Sequence, residues 1–291
     1  MNLGTMERYV MEATAKPFLK WAGSKTQLVK TLRQFLPLGD DRHYNEPFVG
    51  SGVVFLNMHY RSSLLSDSNH DLVSLYSVLK SKRCEFINRC HRLFTPENNS
   101  ETKYYELREE FNAAPPGERR ASLFVYLNRH CFNGLCRYNK KGAFNTPFGT
   151  YARVYFPDDE MVAFAEKLQH AELEQLDFRQ ALARAGDGDV VYCDPPYVPL
   201  TATASFTSYA AGGFSKKDQE DLHQLAVEAS GRGAVVILSN HDTPFTRKLY
   251  HGAKLEFRLV SRTISCDGQN RNKAKELIAV FGEGQCSELR L

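Results

Sequence analysis

Short apolar runs recur along the chain, each ending on a polar or turn-forming residue. Val190-Val191-Tyr192-Cys193 and Ala234-Val235-Val236-Ile237-Leu238 contain no polar break, the pattern of strands buried on both faces of a parallel sheet. Asn45 to Phe48, Ser63 to Ser66, Glu172 to Leu176, Leu255 to Val260 and Leu277 to Phe281 read as further strands, seven in all. Helical periods lie between them, so the alternation predicts an α/β fold: a largely parallel sheet with helices on its faces. The first strand runs into Gly50-Ser51-Gly52 and then the apolar helical start Val53-Val54-Phe55-Leu56, while the second ends at Asp67.

From His70 to Pro157 no buried strand is legible. Leu72, Leu75, Tyr76 and Leu79 share one helical face, as do Leu123, Tyr126 and Leu127. The stretch is too long for an ordinary crossover, which makes it an inserted, mainly helical subdomain. Within it, Asn133-Gly134 and Lys141-Gly142 are turn dipeptides that mark a hairpin or an ordered loop. The expected division is core 1–69, insert 70–157, core 158–291.

With 291 residues, 42% of them hydrophobic, the chain can bury a full core, which excludes global disorder. A net charge of +3 points to no particular partner until it is divided along the chain. Residues 70–157 hold 14 basic and 8 acidic side chains, a local +6, which leaves −3 for the remainder. From Arg119 to Pro157 there are seven basic residues, nine aromatics and no carboxylate. Cations interleaved with aromatics suit nucleic acid, supplying charge for phosphates and planes for bases. An ordinary solvated face over core aromatics has the same composition, and composition alone does not separate the two.

The seven cysteines, Cys84, Cys90, Cys131, Cys136, Cys193, Cys266 and Cys286, form no C-x-x-C pair, so neither a disulfide framework nor a zinc site is expected. Cys84, Cys90 and His91 come nearest to metal spacing and read better as a buried thiol beside a surface imidazole. No apolar stretch reaches membrane-spanning length, and Glu7, Arg8 and Glu12 break any signal-peptide centre. A reduced, cytoplasmic, metal-free protein without a membrane role is the expectation. Ala22-Gly23-Ser24-Lys25-Thr26 fails the phosphate-loop pattern for want of its glycines, and Phe55 stands where a dinucleotide fingerprint wants its third glycine.

The most informative residues are Asp194-Pro195-Pro196-Tyr197, directly after the Val190 to Cys193 run. A given four-residue string appears by chance in a chain this long on the order of once in a thousand. Two prolines fix φ twice and hold the Asp194 carboxylate and the Pro195 carbonyl, both acceptors, at a strand's carboxyl end. Fixed acceptors beside an aromatic ring suit activation of an exocyclic aromatic amine. Its lone pair is delocalised into the ring until its N–H bonds are held and the nitrogen is drawn towards tetrahedral geometry. Tyr197 is the ring on which a base extruded from the duplex would stack.

These residues give the chain its resemblance. Together with Phe18-Leu19-Lys20-Trp21-Ala22-Gly23-Ser24-Lys25, Glu46-Pro47-Phe48-Val49-Gly50-Ser51-Gly52, Phe132-Asn133-Gly134-Leu135-Cys136-Arg137-Tyr138-Asn139 and Ser239-Asn240-His241-Asp242, they resemble the Dam family, the D12 class of DNA adenine-N6 methyltransferases. The likeness covers almost everything after about residue 17 and implies a Rossmann-like core that uses S-adenosylmethionine (AdoMet) as methyl donor. It implies Asp194, Pro195 and Tyr197 as catalytic. For the donor it implies Trp21, Lys25, Phe48, Gly50, Asp67, Asp177, Phe178 and Asp194, with Asp67 on the ribose diol.

The family reads the duplex palindrome GATC, which implies Asn133, Leu135 and Arg137 in the major groove and Lys20 on a guanine, with Lys140, Asn145 and Tyr151 also at the DNA. Lys140 and Lys141 are expected on phosphates. A monomer is expected, with no metal and no covalent enzyme intermediate. Thr150 stands where close family members are expected to carry an arginine, which puts one backbone contact in doubt. Two other classes stay open: a DNA-binding regulator that has lost methyl transfer, and a nicotinamide-dependent enzyme, against which the missing third glycine weighs. Cys193 beside Asp194 reads as a buried strand residue rather than a nucleophile.

Overall fold

The computed structural model describes residues 13–37, 41–198, 213–261 and 273–282; Glu7, Arg8, Glu12, Cys266 and Cys286 lie outside them. All seven expected strands form, and they join one sheet in the order β3-β2-β1-β4-β5-β7-β6. In chain order they are β1 (His43–Glu46), β2 (Ser62–Asp67), β3 (Ala171–Gln175), β4 (Val190–Cys193), β5 (Val235–His241), β6 (Lys254–Ser261) and β7 (Lys273–Phe281). The first five run parallel, whereas β7 is antiparallel to both β5 and β6.

The described helices are α1 (Val29–Phe35), α2 (Val53–Leu56), α3 (His70–His91), α4 (Glu101–Ala113), α5 (Glu118–His130), α6 (Asp158–Lys167), α7 (Phe178–Arg184), α8 (Lys216–Gly231) and α9 (Pro244–Leu249). Asn69 caps α3 through its side-chain oxygen, which accepts from the Leu72 amide. Helices α3, α4 and α5, an irregular ribbon and then α6 occupy the chain between β2 and β3. Two isolated antiparallel bridges, Cys131 with Phe148 and Tyr138 with Phe144, hold that ribbon, so it is a hairpin-like loop.

Strand alternation divides the core. Val190, Tyr192, Val235 and Ile237 enter one apolar cluster with Phe18, Tyr76 and Phe164, and this cluster continues into α4 and α5 through Tyr104, Phe111 and Phe124. Val191, Cys193, Val236 and Leu238 enter a second cluster, against α8, with Leu222, Tyr250 and Phe281. Each of these fully buried large side chains contributes about 1.5–3 kcal/mol by leaving water.

The first strand departs from the expected Asn45 to Phe48. It ends at Glu46 because Pro47 has no N–H to give the ladder and turns the chain into the glycine loop. Strand order reverses between β1 and β4, with β2 and β3 on one side and β5 on the other. The carboxyl ends at such a switch point are where open α/β sheets place their ligands.

Candidate active site and nucleic-acid interface

Four strand ends meet at that edge. The loop after β1 carries Phe48 and Gly50, β2 ends on Asp67, β4 leads directly into Asp194, and β5 carries Ser239. Register brings the last two together: Cys193 pairs with Leu238, and the next residue on each strand completes a hydrogen bond in which Ser239 Oγ donates to Asp194 Oδ1 at 2.9 Å. Tyr192 hydroxyl lies 3.0 Å from the same Oγ. Since a carboxylate only accepts, Ser239 Oγ donates its hydrogen bond to Asp194 and accepts one from the Tyr192 hydroxyl.

The other carboxylate oxygen, Oδ2, has Lys25 Nζ at 2.9 Å. The same ammonium lies 4.5 Å from the centroid of the Tyr197 ring. Tyr197 is held from below, where its hydroxyl donates to Glu276 Oε2 on β7 at 2.9 Å and its ring meets His241 edge to face. Pro195 is buried and Pro196 is exposed, its carbonyl accepting from Gln219 Nε2 at 2.8 Å. Burial pushes the Cys193 thiol well above its ordinary range, which leaves it no thiolate for nucleophilic work.

On the β1 and β2 side, Gly50 has φ +46, and a Cβ there would stand 2.7 Å from Trp21 Nε1. Only glycine lets this turn and the indole approach each other so closely. Asp67 accepts the Gly50 amide at Oδ2, 3.2 Å, and the Asn69 amide at Oδ1, 2.9 Å. Burial raises its pKa, and these backbone donors oppose the rise. Asp67 is not a helix cap; that task falls to Asn69. Phe48 stacks on Phe178 with centroids 5.5 Å apart, and Phe214 closes the cluster against both rings. Asp177 is exposed and caps α7 in a capping box with Gln180.

Glu46 is the buried group that sequence reasoning quoted without assigning a task. Its Oε2 accepts from Tyr44 hydroxyl at 2.9 Å and from the Phe55 amide at 3.0 Å, tying β1 to α2 across the glycine turn. Burial raises its pKa to about 8, so it is largely protonated at neutral pH. Ser239 was likewise quoted without a task, and Glu276 is new. The signal for Ser239 was its place one step past the apolar run of β5, whereas nothing local marked Glu276.

The expected DNA-reading residues gather on the ribbon and beneath it. Asn133 has φ 54, and its amide donates to the Tyr151 hydroxyl at 3.0 Å. Lys20 lies over the Tyr151 ring at 4.1 Å and donates to the Arg129 carbonyl at 3.2 Å. Burial, then the charge of Arg129, lowers its pKa. Asn128 clamps the Lys20 backbone from both sides, at 2.9 and 2.6 Å. Arg137 is exposed; its Nε donates to Asn145 Oδ1 at 2.8 Å and its Nη2 to the Asn145 carbonyl at 3.2 Å, so Asn145 aims the guanidinium. Leu135 is half-buried, and Lys140, Lys141, Arg153 and Thr150 are exposed.

The interleaving of charge and aromatics is only partly a surface property, so each of the two readings that composition left open holds for part of it. Phe124, Tyr126 and Phe144 are core residues, and Tyr138, Phe148 and Phe156 pack against that core. Phe132 and Tyr155 are the strongly exposed aromatics among the nine, at 51% and 56%. Of the cations, Arg119 is paired with Glu110 and Arg120 with Asp71. The exposed basic set on the ribbon and after it is therefore Arg137, Lys140, Lys141 and Arg153. Among the described residues no cluster of metal-ligating side chains occurs, and no helix is long and apolar enough to cross a membrane. Cys84 and His91 are exposed and Cys90 is buried.

The family model of D12 class N6 adenine-specific DNA methyltransferases matches residues 21–264. A DNA adenine methylase of Vibrio cholerae is 48% identical over 267 residues, 91% of this chain and 96% of the relative. The DNA adenine methylase of Serratia marcescens is 48% identical over 91% of this chain and 98% of its own. That of Escherichia coli K12 is 46% identical over 272 residues, 94% of this chain and 97% of its own.

Proposed function

The chain belongs to the D12 class N6 adenine-specific DNA methyltransferases, and we infer that it methylates the 6-amino group of an adenine flipped out of duplex GATC, with AdoMet as donor. The observation that carries this reading is the convergence of Asp194 and Tyr197 with Lys25 and Ser239 at the switch point of the sheet. A carboxylate held at both oxygens beside a held aromatic ring can take the N–H of an aryl amine while the base stacks.

The residues beside it suit the donor. Asp67 has one backbone amide on each oxygen, and a carboxylate has about four acceptor sites, so lone pairs remain for a ribose diol. Phe48 and Phe178 offer an apolar surface for an adenine, and Trp21 over Gly50 forms a wall with no side chain between. When bound, AdoMet supplies an electrophilic methyl group. Asp194 and the Pro195 carbonyl orient the amine and favour its pyramidal form, and Asp194 is the acceptor within reach of the proton the amine must lose. Tyr197, fixed by Glu276, offsets part of the cost of unstacking the base.

We assign sequence reading to residues 70–157, with Arg137 on guanine O6 and N7, supported by Asn133, Leu135 and Lys20; Lys140 and Lys141 serve phosphates. Incubation with methyl-labelled AdoMet and duplexes altered singly at each base of GATC tests the proposal. Label should enter the adenine of the intact site and fall sharply for every alteration; equal labelling of altered sites would reject GATC reading.

A further inference from the structure

A proline ring fixes φ but leaves ψ free, and it has no N–H with which to tie its own loop down. The two prolines of Asp194-Pro195-Pro196-Tyr197 therefore leave the direction of the Tyr197 ring undetermined. That direction is set by the planes of the peptides on either side of Tyr197, and side chains from outside the turn hold both. Gln219 Nε2, near the start of α8, donates to the Pro196 carbonyl at 2.8 Å, and the Val198 amide donates to Asn240 Oδ1, on β5, at 3.2 Å. His241 Nδ1 donates to the Val198 carbonyl at 2.7 Å and fixes the following plane as well.

These bonds belong to one closed network, whose members Gln219, Asn240 and Tyr250 are buried. Asn240 Oδ1 accepts two backbone amides, that of Val198 and, at 2.9 Å, that of His241. Because a backbone N–H can only donate, the pair fixes which way the Asn240 side chain faces. Its Nδ2 then donates to Gln219 Oε1 and to the Tyr250 hydroxyl, both at 3.0 Å. The Tyr250 hydroxyl, having accepted from Asn240, donates to Gln219 Oε1 at 3.4 Å, which leaves Gln219 Nε2 turned to Pro196. Asn240 thus uses both lone pairs and both N–H bonds inside the protein. A fully satisfied buried network is rigid, since any rotation within it strands a polar group away from water.

We propose that Gln219 and Asn240 are positioning residues for methyl transfer, which hold the Tyr197 ring in the pose that receives the flipped base by fixing the peptides on either side of it. This rests on the functional reading above, in which Tyr197 stacks on the adenine while Asp194 takes its amine. Glu276 anchors the ring at its hydroxyl, and the network anchors it at the backbone. A displacement of about 1 Å at a reacting centre can cost on the order of 100-fold in rate, even when the substitution that causes it lies away from the chemistry.

The test measures single-turnover methyl transfer to a GATC duplex by the full chain carrying Gln219→Met or Gln219→Asn. The first keeps the length of the side chain and removes its polar atoms; the second keeps an amide that is one methylene too short to meet both Asn240 and Pro196. Each should lower the rate at least about 10-fold, with affinities for the duplex and for S-adenosylhomocysteine, the donor's demethylated product, within about twofold of native. A melting scan identifies a variant that does not fold; should Gln219→Met be one, Gln219→Asn decides. In Tyr197→Ala the same substitutions should cost less than about threefold, because no ring is left to misplace. A native rate in the folded variants overturns the proposal, as does a loss of equal size with and without the Tyr197 ring, the mark of a general structural role. A native protein that binds no S-adenosylhomocysteine, or that transfers no methyl group to GATC, instead overturns the functional reading and the proposal with it.

Discussion

Lys25 Nζ lies 2.9 Å from Oδ2 of Asp194, and that contact is buried on the lysine side, with 7% of the Lys25 side chain exposed. The ammonium also faces the Tyr197 ring, so it occupies the space between the two groups that an adenine amine and its ring would meet. In the proposed reaction an incoming base displaces the cation or shares the carboxylate with it.

Lys25→Met keeps the length of the side chain and removes its charge. The rate of methyl transfer should fall about 10-fold or more, the scale of a lost electrostatic contact in a site that excludes water. DNA affinity should change less than about twofold, because the ammonium contacts Asp194 rather than the ribbon. A single-turnover rate measured beside an equilibrium binding titration separates the two effects, and an unchanged rate would remove Lys25 from the catalytic constellation.

Arg137 and Lys140 should fail in different ways. Arg137→Ala is expected to relax discrimination at one guanine by about 1–3 kcal/mol, the worth of a bidentate arginine–guanine contact. Lys140→Ala should weaken cognate and altered sites alike and reduce the slope of log affinity against log salt by about 0.9. Competition binding at several salt concentrations reads both. If Arg137→Ala kept native discrimination, the reading assignment would fail.

Glu46 gives the protein a pH-dependent stability term. Its folded pKa, about 8, lies above its ordinary 4.5, so the folded state holds a proton that the unfolded state gives up. The contribution is complete below pH 4.5 and is lost progressively as pH rises through about 8. Glu46→Gln accepts the Tyr44 and Phe55 donors with its side-chain oxygen but cannot ionise. Its melting temperature should fall less than that of the native protein between those two pH values. A native-like slope in Glu46→Gln would show that another group carries the dependence.

Much of this architecture was written in local pattern. The unbroken runs at Val190 and Ala234 announced β4 and β5, and Asp194 after the first of them announced the site, because buried parallel strands need no polar face and strand ends carry ligands. What local pattern could not carry was register. Ser239 reaches Asp194 only because Cys193 pairs with Leu238, and Asp71 meets Arg120 across 49 residues of chain. The basic aromatic stretch stayed open between two readings for the same reason. Phe124 and Tyr126 recur at positions that face α4 rather than solvent, through Phe111 and Tyr104, and Arg120 is consumed inside the protein, which composition alone does not show. Pro47 explains the early end of β1, which was expected to run on to Phe48.

The central claim is that Asp194 activates an adenine amine. Its most direct test is single-turnover transfer from labelled AdoMet to a GATC duplex by Asp194→Ala, with binding of the same duplex measured in parallel. Native-like DNA affinity is expected, since Asp194 follows β4 and its carboxylate contacts Lys25 and Ser239 rather than the ribbon, with transfer reduced by at least about 100-fold. Transfer within a fewfold of native, by a variant that still binds the duplex, would contradict it.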